Sequence, residues 1–295
     1  MRGDPEAHEL IAPASLPEAL AILAESPGNW TPIAGGTEIM VAHAAGRLAA
    51  RRLISLWGLP ELNFIRVEDG WLSIGGGITF NHVRHHAAIA ADFPLLTRAA
   101  SWIGCIANQS RATIAGNIVN GSPAADAPPA LLVYDAEIEL ISHRGSRRLP
   151  YSEFHLGYKQ FVLEPDELVL ALHLPRRFTS HAQYLRKVGT RRAMAITKVA
   201  LAGTAIVEDN QVKEIRLAAA SVADRPYRLQ AAEAALLNEK LIPATMRAAR
   251  TELLNEVRPI DDIRSTAEYR KHVATNLLDE FLTELSPSAL EGLSA

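Results

Sequence analysis

A chain of 295 residues exceeds one ordinary domain and predicts two or three compact units. Apolar residues make up 48 % and charged residues 21 %, the balance of a soluble globular protein, and a formal net charge of −3 argues against nucleic acid or a membrane surface as the main partner. Cys105 is the single cysteine, which excludes an internal disulfide and any iron–sulfur cluster or four-cysteine zinc site built from this chain alone. A lone thiol fits a reducing compartment. Met1-Arg2-Gly3-Asp4-Pro5 has no apolar segment behind its arginine, so no secretory signal is expected, nor is any uncharged apolar run long enough to span a bilayer. The expected location is the cytoplasm.

In chain order, helical spacing of Leu16, Ala19, Leu20 and Leu23 after Ser15 predicts a helix over 16–26. Trp30 to Ala34 reads as a short strand running into Gly35-Gly36, and Arg52 to Leu56 as another. Leu62–Val67 and Trp71–Gly75 around Glu68-Asp69-Gly70 predict a hairpin. Thr79 caps an expected helix through His86, and a second helix is expected from Pro94 to Ile106. Thr113 to Pro129 is rich in small and polar residues and reads as a long functional loop. Helix Ala130–Tyr134 and strands Glu137–Ser142 and Leu168–Leu174 follow, with a boundary at Pro175-Arg176-Arg177. Strands Ala182–Val188, Thr197–Val207 and Val212–Ala220 then precede helices near 227–237, 243–254 and 266–284. Strands grouped together, then helices grouped together, is the α+β pattern.

Two segments carry the chemistry. In Ile33-Ala34-Gly35-Gly36-Thr37-Glu38-Ile39, adjacent glycines after a strand permit close backbone approach, and successive N–H groups can form an anion nest; the plain alternative is a glycine turn before a helix. In Thr113-Ile114-Ala115-Gly116-Asn117, continued by Asn120 to Asp126, small residues and amides suit a pyrophosphate. Asp126 is placed to accept from ribose hydroxyls; the alternative is an irregular polar loop. Together the two turns suggest the two ends of one dinucleotide. Gly75-Gly76-Gly77 fails the Rossmann fingerprint because Phe80 stands where its last glycine belongs, and no Walker sequence exists. His82 and His86 have metal-ligand spacing but no carboxylate beside them. No acid–base pair or nucleophile set can be assembled, so the chemistry is expected to be a cofactor's.

Ala34-Gly35-Gly36-Thr37, with Gln109-Ser110-Arg111-Ala112-Thr113-Ile114-Ala115-Gly116-Asn117, resembles the FAD-binding subunits of the xanthine dehydrogenase and carbon monoxide dehydrogenase family. Phe154 to Lys159, Leu163 to Leu168, Arg186-Lys187-Val188 with Arg191-Arg192, the set Pro226, Arg228 and Glu233, and Tyr269-Arg270 extend the resemblance along the chain. It implies an α+β, vanillyl-alcohol-oxidase-type fold: FAD-binding subdomains at 1–58 and 59–177, a C-terminal domain of antiparallel sheet and helices at 178–286, and a tail at 287–295. Carried over by position, Ile33, Ala34, Gly35, Gly36, Thr37, Glu38 and Ile39 would contact FAD, as would Thr113, Ala115, Gly116, Asn117, Asn120 and Asp126. Val169, Lys187 and Ile103 would lie near the isoalloxazine. Ala115 departs from the usual glycine, and Gln160 from the usual threonine.

The resemblance further implies an electron-relay subunit, inactive alone toward the hydroxylation substrate. Iron–sulfur ([2Fe-2S]) and molybdopterin subunits would be its partners, in a dimer of heterotrimers, with NAD or another acceptor receiving the electrons. The competing expectations are a self-contained flavoenzyme on the same fold and a flavin-free scaffold protein.

Overall fold

The computed structural model describes residues 4–191 and 193–286; Met1 to Gly3, Arg192 of the Arg191-Arg192 pair and the expected tail 287–295 lie outside the described residues. The chain opens with β1 (Glu9–Ile11), α1 (Leu16–Glu25), β2 (Thr31–Ile33), α2 (Ile39–Ala44) and β3 (Arg52–Ser55). The three strands pair in parallel in the order β1-β3-β2. As the sequence predicts, Ser15 caps α1, its hydroxyl accepting from the Glu18 N–H at 3.4 Å. Leu16, Ala19, Leu20 and Leu23 form the buried face of α1, packed with Ile54, Leu59 and Leu62. Helix α2 is the helix of the alternative reading, a glycine turn before a helix, and has no buried residue.

The second group contains β4 (Ile65–Glu68), β5 (Trp71–Gly75), α3 (Phe80–His85), α4 (Ala87–Asp92), α5 (Pro94–Ser101), α6 (Ile106–Gln109), α7 (Ile114–Val119) and α8 (Pro128–Val133). It continues with β6 (Glu137–Ser142), β7 (Gly145–Pro150), β8 (His155–Gly157), β9 (Gln160–Phe161) and β10 (Leu168–Pro175). An antiparallel sheet of order β4-β5-β10-β6-β7 presents Leu72, Ile74, Ile138, Leu140, Leu172 and Leu174 to the helices. Two sequence expectations change here. The helix from Pro94 stops at Ser101, since Gly104 takes a positive φ of 52° before α6 begins. The long loop from Thr113 contains α7, with Thr113 as its N-cap. In the β4–β5 hairpin Gly70, at φ 79°, is the residue of the Asp69-Gly70 pair with positive φ.

The third group is β11 (Ala182–Val188), β12 (Val199–Glu208), β13 (Gln211–Ala220), β14 (Tyr227–Arg228), α9 (Gln230–Leu236), α10 (Pro243–Glu256) and α11 (Ala267–Leu285). Its antiparallel sheet runs β11-β12-β13-β14, one face covered by the three helices. At the β12–β13 turn both Asp209 and Asn210 have positive φ, 50° and 60°, the geometry that two-residue hairpins favour. Tyr227-Arg228, expected at the start of a helix, forms an edge strand because it pairs with Ala218 and Ala219. The α+β expectation therefore holds, with an antiparallel C-terminal sheet under helices. Leu185, Ala202 and Ala218 reach into the core of the second group, so the C-terminal sheet packs against α5 and α8.

Beside this core lies a buried histidine that titrates against stability. His155 sits among Tyr151, Phe154 and Phe161, one ring nitrogen 3.0 Å from the Tyr151 hydroxyl and the other without a partner. Burial, aided by the charge of Arg225, pushes its pKa down to about 4. A folded-state pKa below the unfolded value of about 6.5 means that stability is intact above that pH and declines toward the folded value. Acidification from pH 7 to 5 is expected to lower the unfolding free energy of the native chain more than that of His155→Phe, by about 1.4 kcal/mol per pH unit within this window. Urea melts of both proteins at the two pH values provide the check; parallel losses would exclude His155 as the cause.

Candidate functional site

A cleft of about 610 Å³ lies where the parallel sheet meets the antiparallel one, within the usual range for a small-molecule site. On one side the chain leaves β2, turns at Gly35-Gly36 and enters α2. Gly36 has φ 75°, which glycine adopts freely. Gly35 is required for space. A Cβ there would overlap the carbonyl carbon and oxygen of Arg111 and stand 3.1 Å from the Ala112 nitrogen. The two glycine loops are therefore in backbone contact, although 76 residues separate Gly35 from Arg111. Among the described residues, the N–H groups of Gly35, Gly36, Thr37 and Glu38 donate no hydrogen bond, leaving a run of donors beside the cleft.

The opposite side is the start of α7. The Thr113 hydroxyl accepts from the Gly116 N–H at 3.1 Å, which holds the first turn of this short helix against the cleft. Asn117 lines the same wall, and its side-chain oxygen is buried with no protein partner. Ala115 fits because its neighbour across the contact, Gly76, is itself a glycine. The Ala115 N–H donates to Gly76 O at 3.2 Å, and the Ala115 methyl occupies space that a side chain on Gly76 would crowd. Gly76 in turn donates to Leu170 O at 2.8 Å, alongside the irregularity between Val169 and Ala171 in β10.

The structure brings most of the expected residues together. Ala34, Gly35, Gly36, Thr37, Glu38, Ile39, Ile103, Thr113, Ala115, Gly116, Asn117, Asn120 and Val169 all line the cleft. Ile33, Asp126 and Lys187 are not among its lining residues. Ile33 ends β2 and packs behind Gly36. Asp126 and Lys187 form a buried ion pair at 2.7 Å, and the second Asp126 oxygen accepts from the Thr197 hydroxyl at 2.6 Å. Burial raises the Asp126 carboxyl above its ordinary range against the opposing pull of Lys187. Gln160 pairs with Gly157 in the small β8–β9 hairpin and does not line the cleft.

Sequence reading missed several lining residues. Gly76 and Gly77 belong to the triplet set aside on Rossmann spacing; its run of glycines was the available signal, and a Cβ on Gly77 would be 3.0 Å from the Leu62 carbonyl oxygen. Phe161, Leu163 and Glu167 also line the cleft. Glu167 is held bidentately by Arg147, with both contacts at 2.7 Å, and accepts from the Glu164 N–H at 2.9 Å. The Arg147 hydrogen bonds keep its carboxyl below the usual range, so a fixed negative charge is cancelled at the wall. Cys105 does not line the cleft; its thiol donates to Asn108 Oδ1 at 3.0 Å within the cap of α6.

Facing glycine loops, a run of free N–H donors and a partnerless buried amide oxygen fit the diphosphate and polar groups of a dinucleotide, bound without the Rossmann spacing. Fold and cleft thus define a dinucleotide-binding protein of a non-Rossmann class. The family model described as FAD binding domain in molybdopterin dehydrogenase matches residues 6–177, and the CO dehydrogenase flavoprotein C-terminal domain matches 184–285. The chain is similar to the xanthine dehydrogenase FAD-binding subunit of Escherichia coli O157:H7, 32 % identical over 278 residues that cover 94 % of this chain and 95 % of that protein. It is also similar to the carbon monoxide dehydrogenase medium chain of Hydrogenophaga pseudoflava, 27 % identical over 281 residues and covering 94 % and 96 %. A solved carbon monoxide dehydrogenase from the latter organism superposes with a TM-score of 0.89 at 27 % identity, over 94 % of this chain and 96 % of that one. The chain belongs to the FAD-binding subunits of the xanthine dehydrogenase and carbon monoxide dehydrogenase family.

Proposed function

We propose that this chain is the flavin relay of a multi-subunit molybdenum hydroxylase, passing electrons from iron–sulfur clusters on one partner subunit to NAD or another acceptor. Substrate hydroxylation would take place on a molybdopterin-bearing partner. FAD, when bound, would supply the redox chemistry of the relay. The chain's own residues bind and orient it. Gly35 to Glu38 and the start of α7 hold the diphosphate, Asn117 meets a donor of the cofactor, and Ile103 and Val169 border the isoalloxazine. Asp126 and Lys187 support the site from the C-terminal sheet, with 1–58 and 59–177 as the cofactor-binding subdomains and 178–286 as the third unit. A dimer of heterotrimers in the cytoplasm is the assembly expected.

The observation that carries this reading is the cleft itself. Its charged lining residues are Glu38 and Glu167, and the latter is committed to Arg147, so the walls offer no proton-donating pair for a substrate of their own. That disfavours a self-contained reductase or oxidase. Purification of the tagged chain from its native host should yield a complex containing FAD, iron and molybdenum. The separated chain should retain FAD but turn over none of the aldehydes or N-heteroaromatics that the complex hydroxylates. Steady turnover by the separated chain would overturn the relay assignment.

A further inference from the structure

The cleft must accommodate an anion, yet no lysine, arginine or histidine is among its lining residues. A cofactor diphosphate carries two negative charges; free N–H groups solvate them well but neutralise them only in part. The nearest cation by connectivity is Arg111, between the two loops. Its backbone carbonyl abuts Gly35, and its Nε donates to Gly35 O at 3.4 Å. Its guanidinium lies 3.8 Å from the centre of the Trp57 ring, so the stack holds the charge beside the Gly35 turn. Unlike Arg144, Arg147 and Arg228, which are bound by carboxylates, Arg111 has no ion pair among the described residues. This exposed arginine is thus held in place by an aromatic ring, with its charge uncommitted.

We propose that Arg111 supplies the positive charge for the cofactor's diphosphate, and that Trp57 holds its guanidinium in position for that task. The assignment rests on the FAD reading above. It separates two duties of one residue: the backbone carbonyl sets the approach of Gly35, and the side chain provides the charge. Substitution keeps the first and removes the second, together with the Nε–H bond to Gly35 O.

The test is the dissociation constant for FAD, from flavin fluorescence, of the full chain and of Arg111→Ala, Arg111→Lys and Trp57→Ala, at low and high salt. Arg111→Ala is expected to weaken FAD binding by about tenfold at low salt, the scale of one lost charge-assisted contact. At about 1 M salt, screening should shrink the gap to within about threefold. Arg111→Lys keeps the charge but loses the planar stack on Trp57, so it should fall between the native chain and Arg111→Ala, as should Trp57→Ala. Equal affinities across all variants, or equal losses for the lysine and alanine variants at both salt concentrations, would overturn the assignment while leaving FAD as the cofactor. Failure of the native, folded chain to take up FAD would overturn the cofactor reading and this assignment together.

Discussion

Gly35→Ala is expected to weaken FAD binding by about a hundredfold. The added Cβ meets the Arg111 carbonyl, a backbone group fixed by the N–H of Arg111 on Asn108 O at 3.0 Å and of Ala112 on the same oxygen at 2.7 Å. Relief requires the two loops to part, which opens the diphosphate nest. Forced overpacking of this kind costs about 1–3 kcal/mol, and each 1.4 kcal/mol is about tenfold in affinity. Gly36→Ala is the control. Its Cβ would meet a side-chain carbon, Met40 Cγ, at 3.2 Å and no backbone atom, so the penalty is mainly the positive φ, worth about 1 kcal/mol and a fivefold loss. Fluorescence titration with FAD ranks the two variants. Equal affinities would mean that contact between the loops does not shape the site.

Lys187→Ala is expected to produce the largest loss of stability, about 3–5 kcal/mol, because it strands a buried carboxylate. The side chains of Lys187 and Asp126 are 10 % and 11 % exposed, and 61 residues separate them, so the pair ties the segment after α7 to strand β11. Pro123 O strengthens the same junction by accepting from the Ser221 N–H at 2.8 Å. With Lys187 gone, burial still raises the Asp126 pKa and only the Thr197 hydroxyl opposes it. The folded state then holds a proton more tightly than the unfolded state, so the variant loses stability as pH rises and regains part of it in acid. Asp126→Asn/Lys187→Met, which removes both charges, should recover most of the loss. Urea unfolding of the three proteins at pH 5 and pH 8 measures both effects. A double variant as unstable as Lys187→Ala would show that the ion pair is not the source.

These two sites differ in how far they can be read from sequence. The glycine loops were legible because their signal is local: adjacent glycines after a strand, and a Thr-x-x-Gly-Asn run of small residues. Helix α7 was not, because Gly116 and Asn117 are poor helix formers and the capping hydroxyl of Thr113 outweighs them only once the helix is packed on Gly76. The role of Gly76 depends on β5 lying beside β10, a pairing of residues about a hundred positions apart that no local pattern announces. Glu167 reads as a surface acid until Arg147 on β7 is brought against it. Asp126 shows the limit from the other side. Its position in the motif is readable, but its bond to Lys187 requires the C-terminal sheet to be in place.

The most direct test of the account is the flavin content of the folded protein. Purified chain, verified as folded by a cooperative melt, should carry or take up FAD in a one-to-one ratio, released on denaturation and identified by its absorption spectrum. Gly35→Ala should hold far less under the same conditions. A cooperatively folded native chain that remains colourless and binds no added FAD would contradict the account at its centre.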